Sequence, residues 1–382
     1  MSSSSSRAAD SIIYSHTGLR GIAAMSVFIA HIFLMESTAW DLNYGFFRFF
    51  MWQNYAVDLF FILSGFILNW VYLSETMTIK WSSYLRARVG RIMPLYYLTT
   101  SLYLPLLFYR TFKHEHVYEG LAWPITLFSN LFMVSGIMDG GKFTLNSPAW
   151  SIGVEFFCYL AVFPVLMQVY RFLSTHRWFV SHRLLFSIIL VCLFSHGLVL
   201  CYQFTPIPIY NWHWDSSWLG RGIFGFSIGF FLCIIFRLSS QWRPNVILIN
   251  VVVIGVITFF LLSRMNYLPE YPLLYAFPFL VYFTAFDRGL TASILKLNVF
   301  QWMGERSYSI YLWHKMLLHS LASLSIIICR HLKIPNPIGL INSILLIIIV
   351  LLISELSYRY FEIPCRQFIR RSGWRNSTVK RA

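Results

Sequence analysis

Charged residues are scarce in this sequence. Only 12% of its 382 residues are Asp, Glu, Lys or Arg, whereas 57% are hydrophobic. A typical soluble domain is about 25% charged. Many apolar runs approach the length of about 20 residues at which a helix crosses a bilayer. The composition therefore excludes an ordinary soluble domain and predicts an all-α polytopic membrane protein.

Acidic residues are scarcer than basic residues. The chain has 15 Asp and Glu against 30 Lys and Arg, which gives a net charge of +15. In a soluble protein this excess would suggest a nucleic-acid partner. Here the basic residues lie between apolar runs and in the C-terminal tail, so we expect membrane lipid and not nucleic acid as the partner.

Cysteines and signal-peptide features are also sparse. The six cysteines form no C-x-x-C pair, so we expect free thiols, with no metal site and no disulfide framework. The opening residues MSSSSSRAAD lack the apolar core of a cleavable signal peptide. We therefore expect the first span to direct insertion.

The apolar runs predict about ten transmembrane helices. The segment Leu121–Val134 is short and contains Pro124, so it is interpreted as re-entrant or interfacial. Counting it as a span would worsen the alternation of basic loops, which otherwise places both termini in the cytoplasm. The predicted divisions are a polar cytoplasmic tail (1–17), a transmembrane domain (18–364) and a basic cytoplasmic tail (365–382).

Three arginines, Arg86, Arg88 and Arg91, stand between two long apolar runs. Because an Arg in the bilayer core costs about 2.5–3.5 kcal/mol, the sequence predicts a short turn at a membrane face. One interpretation is that these charges only set the topology. The other rests on the spacing of Arg88 and Arg91, since residues three apart share a helical face and two guanidinium groups bind phosphate well.

Several polar residues interrupt the predicted spans. Arg20 and His31 lie in the first span, about 16 Å apart along its axis. His31, Asp58 and Glu155 are all expected in the outer half of the membrane. Each has a structural alternative, such as a packed histidine or a helix cap. Together these residues predict proton-transfer chemistry in the outer half of the membrane, with His31 beside Asp58. The arginines predict a phosphate-binding site at the inner face.

A second cluster of polar residues lies in the ninth predicted span. It contains Tyr308, Tyr311 and His314, of which the last two share a helical face. An aromatic belt with a snorkelling histidine and a substrate-binding role are both open at this point.

Six segments together resemble the acyltransferase-3 family of integral membrane acyltransferases. They are LRGIAAMSVFIAH (19–31), VDLFFILSGFIL (57–68), RARVGRIMPLYY (86–97), SPAWSIGVEFFCY (147–159), GERSYSIYLWH (304–314) and YFEIP (360–364). The resemblance implies transfer of an acyl group, usually acetyl, from a coenzyme A thioester to a hydroxyl of a cell-surface or exported glycan. It implies a catalytic His31, donor binding by Arg88 and Arg91, and a bacterial inner membrane.

The chain departs from the family pattern at two points. The family often has paired acids where this chain has only Glu155, and we expect no appended soluble esterase-like domain. The resulting hypothesis is that Arg88, Arg91 and Arg20 hold the acetyl-CoA phosphates, while His31, oriented by Asp58, deprotonates the acceptor. Glu155 would orient the acceptor, and an acyl-enzyme on Ser64 or His31 is a variant.

Two other functions are compatible with these residues. A transporter or flippase of a glycolipid would use His31, Asp58 and Glu155 as a proton relay and the arginines as a substrate clamp. The sequence shows no inverted repeat, which counts against it. A non-enzymatic scaffold would leave every charge topogenic, and the shared depth of the polar groups counts against that.

Overall fold

The structure is a computed structural model that describes residues 12–36, 52–73, 79–105, 123–138, 145–203, 216–239, 241–265, 267, 271–332 and 339–371. These residues form helices and connecting turns, with no strand among them. The first helices are α1 (Tyr14–Glu36), α2 (Gln53–Tyr72), α3 (Trp81–Ser101), α4 (Trp123–Leu131) and α5 (Ser135–Met138).

A short 3-10 turn (Ser147–Ala149) leads into the second half of the bundle. Its helices are α6 (Trp150–Phe157), a π-helical turn (Cys158–Val162), α7 (Phe163–Leu173), α8 (Arg177–Gln203), α9 (Ser216–Leu238), α10 (Val246–Arg264), α11 (Leu273–Thr284), α12 (Gly289–Leu295), α13 (Asn298–Glu305), α14 (Ser307–Leu332), α15 (Gly339–Ser357), a second π-helical turn (Tyr358–Glu362) and α16 (Ile363–Arg371).

Seven helical segments among the described residues are long and apolar enough to cross a membrane. They are Tyr14–Leu34, Gln53–Tyr72, Ser147–Leu173, Arg177–Gln203, Ser217–Leu238, Val246–Arg264 and Ser343–Arg371. The prediction of an all-α polytopic membrane protein is therefore confirmed. The other three predicted spans fall on α3, α11 and α14, and the count of about ten stays a prediction.

The predicted arginine turn is wrong, because all three arginines lie inside helix α3. Arg91 is about 15 Å along this helix from Trp81. The insertion penalty used for the prediction applies to an arginine facing lipid. Helix α3 packs against α6, α14 and α16, and Arg88 and Arg91 are half-buried, so neighbouring protein covers part of each side chain.

The predicted short segment is a nine-residue helix, α4, which rises only about 13.5 Å. Residues 121 and 122 lie outside the described ranges. The turn after α4 docks on α6, where a Cβ added at Gly153 would lie 2.3 Å from the Met133 carbonyl oxygen. A helix this short cannot cross a bilayer, in line with the predicted re-entrant or interfacial segment.

The first and last described helices extend past the bounds of the predicted transmembrane domain, and the division into tails and a transmembrane domain stays a prediction. Helix α1 begins at Tyr14, inside the predicted tail, and α16 continues to Arg371, beyond the predicted end of the transmembrane domain. Residues 372–382 lie outside the described ranges, and the side of the membrane on which the tails lie stays a prediction. The described cysteines are free thiols, namely Cys158, Cys192, Cys201, Cys233 and Cys365.

Helices α2 and α9 cross with their backbones almost in contact. A Cβ added at Gly65 would lie 2.0 Å from the Phe226 carbonyl oxygen, and one at Gly229 would lie 1.9 Å from that of Ile62. Small residues allow such close approach between membrane helices. This crossing fixes the rotation of α2, and hence which of its side chains face the interior cavities.

Replacing Gly229 with alanine should destabilise the bundle by about 1–3 kcal/mol, because the new methyl group forces α2 and α9 apart. The measurement is the thermal unfolding midpoint in detergent. Gly255→Ala is the matched control, since a Cβ there meets nothing within 4 Å. Equal midpoints for the two variants would contradict a tight crossing.

Candidate active site

Two interior cavities lie side by side in the bundle. The His31 cavity has a volume of about 310 Å³, and the arginine cavity has a volume of about 50 Å³. Val57 and Tyr311 line both. The His31 cavity is lined by Val27, His31, Gln53, Asn54, Val57, Ser147, Pro148, Trp150, Trp218 and Tyr311. The polar residues lining the arginine cavity are Arg20, Ser64, Arg91, Ser151, Glu155, Ser307, Tyr308 and Tyr311.

The orientation of His31 suits a general base. Its Nδ1 lies 2.8 Å from the Val27 carbonyl oxygen. A carbonyl oxygen only accepts hydrogen bonds, so Nδ1 carries the ring proton and Nε2 has the free lone pair. The histidine lines its cavity, where that lone pair is available to a hydroxyl group.

The ninth predicted span, now helix α14, brings two predicted residues to His31. The ring centroid of His314 lies 5.0 Å from that of His31, and the ring of Tyr311 lies 5.8 Å from that of His314. His314 is fully buried, and its Nε2 has no hydrogen-bond partner in the described part of the chain. Tyr308 instead lines the arginine cavity and donates to the Ile92 carbonyl oxygen at 2.6 Å.

The predicted pairing of Asp58 with His31 is wrong. Asp58 accepts a hydrogen bond from Arg221 Nε at 3.0 Å and another from the Tyr202 hydroxyl at 2.5 Å. Both carboxylate oxygens are thus occupied, and Asp58 lines neither cavity. The reason is helix rotation, because Val57 faces the cavities and the next residue points about 100° away, towards α9.

Arg221, the charge partner of Asp58, was not among the residues predicted from the sequence. It is buried and lies over the rings of Tyr202, at 4.7 Å, and Trp150, at 5.4 Å. A detectable signal was present, since Arg221 is a charge near the start of a predicted span, at the same predicted depth as Asp58. Opposite charges at one depth in a membrane are expected to pair.

Glu155 lines the arginine cavity and not the His31 cavity. Ser64 Oγ donates to its Oε1 at 2.5 Å, and the Tyr159 hydroxyl donates to the same oxygen. Tyr159 belongs to the π-helical turn after α6, a feature frequent at functional sites. The structure therefore separates Glu155, His31 and Asp58, which the sequence had grouped together.

The structure also separates the three arginines that were predicted to bind the donor. Arg20 and Arg91 line the arginine cavity, where Arg20 donates to Ser307 Oγ at 3.3 Å. Arg88 does not line it and lies over the rings of Tyr72, at 5.8 Å, and Tyr159, at 5.6 Å. The cavity wall thus combines two guanidinium groups with one carboxylate, which suits an anionic ligand. No cluster of metal-ligating side chains occurs in the described ranges.

The structure thus places a cavity lined by two arginines beside a cavity lined by a histidine, inside a helical bundle with several helices long and apolar enough to cross a membrane. A family model described as "Acyltransferase domain" matches residues 13–356. The chain therefore belongs to the acyltransferase-3 family. No solved structure matches it.

Curated relatives are similar over much of the chain. They include acyltransferase MdmB of Streptomyces mycarofaciens, 28% identical over 60% of this chain and 59% of the relative. O-acetyltransferase OatA of Staphylococcus aureus is 24% identical over 92% of this chain and 56% of the relative. The putative peptidoglycan O-acetyltransferase YrhL of Bacillus subtilis is 25% identical over 94% and 55%. The chain thus spans little more than half the length of these relatives.

Asp58→Leu should destabilise the protein strongly, by about 3–5 kcal/mol, because it leaves Arg221 buried without its charge partner. The measurement is again the unfolding midpoint. The double variant Asp58→Leu/Arg221→Met removes both charges and should recover most of the loss. Additive losses in the double variant would mean that the two residues do not act as a pair.

Proposed function

We propose that this protein is a membrane O-acetyltransferase. It takes an acetyl group from cytosolic acetyl-CoA and passes it to a hydroxyl of a cell-surface or exported glycan. Acetyl-CoA is the donor substrate, and no metal is part of the proposal. The names of OatA, an O-acetyltransferase, and YrhL, a putative peptidoglycan O-acetyltransferase, support acetyl transfer to a glycan.

The observation that carries the proposal is the wall shared by the two cavities. Tyr311 and Val57 separate a cavity with two arginines from a cavity with a histidine base. A donor anchored on one side and an acceptor deprotonated on the other would meet at this wall. Acyl transfer between compartments requires a donor site and an acceptor site that adjoin. Charges that only set the topology would not need to line two adjoining cavities.

Each lining residue has a role in this proposal. Arg20 and Arg91 bind the phosphate-bearing donor, and Arg88 supports the helix that carries Arg91 through its aromatic contacts. His31 takes the proton from the acceptor hydroxyl through Nε2. Tyr308 stays on the donor side. The acceptor lies in the His31 cavity, where Tyr311 contacts it. His314 is fully buried and packs beside the His31 ring, so it supports His31 and does not contact the acceptor.

The proposed location is a bacterial inner membrane with both termini in the cytoplasm. In helix α1, Arg20 precedes His31 by about 16 Å. A cytoplasmic N-terminus therefore places the arginine cavity towards the cytosol, where coenzyme A is found, and the His31 cavity towards the outside. The basic loops found in the sequence support the same orientation.

His31→Ala should lower the rate of transfer by about 10²–10⁴-fold, the usual contribution of a general base. Binding of CoA should be unchanged, because His31 lies outside the arginine cavity. The assay supplies purified protein in lipid vesicles with labelled acetyl-CoA and candidate glycans, followed by mass spectrometry of the glycans. Loss of CoA binding in a folded variant would contradict the role of His31.

The same assay tests the transporter alternative. If the glycan crosses the vesicle membrane while every labelled acetyl group stays on CoA, the protein is not an acetyltransferase. In that outcome His31→Ala should slow glycan movement and leave no acetylated product to measure in either protein.

Arg91→Ala should raise the KM for acetyl-CoA about ten-fold or more, because a hydrogen bond between charged groups contributes about 1.5–3 kcal/mol. Arg91→Lys should recover part of the affinity. Arg371→Ala is the matched control, since Arg371 is exposed at the end of α16 and should leave KM unchanged. An equal KM in all three variants would exclude Arg91 from the donor site.

A further inference from the structure

Ser64 makes an unusual contact for a serine in a membrane helix. Such serines commonly donate to a carbonyl four residues earlier in their own helix, as Ser26 does to Ile22 at 2.7 Å. Ser64 instead donates across helices to the Glu155 carboxylate at 2.5 Å. Its hydroxyl is therefore placed beside a group that can take its proton.

The surroundings of Ser64 favour chemistry at its oxygen. A hydroxyl next to a base is the usual activated nucleophile. Arg20 and Arg91 lie in the same cavity wall, so the donor that they bind in the proposed function is brought to the cavity that contains Ser64. Serine, carboxylate and guanidinium groups thus supply a nucleophile, a base and a donor-binding site in one cavity.

Tyr159 shares the same carboxylate oxygen but is the weaker candidate. It is almost fully buried and does not line the cavity, whereas Ser64 is half-buried and does. A donor in the cavity would reach Ser64 first. The tyrosine hydroxyl holds Glu155 in place and leaves its second oxygen free.

We propose that Ser64 accepts the acyl group as an ester and carries it between donor and acceptor. The inference rests on the proposed function and adds a covalent intermediate to it. Ser64 lies seven residues after Val57, so it is about 10.5 Å further along α2 on nearly the same face. It therefore lies on the donor side of the shared wall, in the lining of the arginine cavity.

The chemistry balances in two steps. Glu155 takes the proton of Ser64, Oγ attacks the thioester carbonyl, and the carbon–sulfur bond breaks. The thiolate of CoA then takes the proton from Glu155 and leaves as the free thiol. In the second step the acceptor hydroxyl attacks the ester, the bond to Oγ breaks, and the acceptor proton, first taken by His31, ends on Oγ.

The test is a labelling experiment on the purified full chain in vesicles, with labelled acetyl-CoA and no acceptor. After denaturation, mass spectrometry should find one acetyl group on the peptide that contains Ser64. Adding the acceptor should remove the label within one turnover in the native protein. His31→Ala should keep the label, because its discharge to the acceptor is blocked.

Matched variants distinguish a carrier from a structural serine. Ser64→Ala should lose the label and the transfer activity while keeping CoA binding, which also reports a folded cavity. Ser64→Cys should regain a label, now as a thioester cleaved by neutral hydroxylamine. Ser26→Ala should keep both label and activity, because Ser26 bonds only within its own helix.

The outcomes separate the two proposals. Transfer to the glycan without any labelled protein, normal transfer in Ser64→Ala, or a label on another residue would each overturn the covalent role of Ser64 and leave the proposed function standing. Absence of any transfer from acetyl-CoA to a glycan would overturn the proposed function itself.

Discussion

The free-energy cost of burying charge away from water determines how this bundle is held together. An ion pair there persists only where its partners and hydrogen bonds are well placed. Asp58 and Arg221 join α2 to α9, Arg306 and Glu355 join the start of α14 to α15, and Glu362 accepts from Ser309 of α14 and from Arg366 of α16. The Asp58–Arg221 pair connects two helices that lie far apart in the sequence, and the Arg306–Glu355 pair connects two successive helices.

The arginine cavity is the exception to this rule. Arg91 forms no hydrogen bond or ion pair with the described residues, and Arg20 has only the Ser307 hydroxyl as a partner. Glu155, the one carboxylate in the wall, already accepts two hydroxyl groups. Both guanidinium groups are half-buried, and a charge withdrawn from water without full compensation costs free energy. A bound anion would remove that cost, so the same constraint that pairs charges elsewhere points to a ligand here.

The sequence predicts the helical class well, because a low charge content and long apolar runs leave a membrane chain no alternative to helices. It also singles out the titratable residues that line the cavities, namely Arg20, His31, Arg91, Glu155, Tyr308 and Tyr311. It does not predict which way each of these side chains points around its helix axis. Whether Val57 or Asp58 points inward depends on the rotation of α2, which the backbone contacts at Gly65 and Gly229 fix. The arginine turn fails for a related reason, since insertion costs assume lipid where the fold supplies neighbouring helices.

The dimensions of the site add a constraint on how it works. The arginine cavity, at about 50 Å³, has about one sixth of the volume of the His31 cavity, at about 310 Å³. The arm of a thioester donor needs more space than this. Movement of Tyr311, whose hydroxyl bonds Ser151 at 2.7 Å and which lines both cavities, would enlarge the cavity. Donor binding that displaces Tyr311 would then join the two cavities, because Tyr311 is part of the wall that they share.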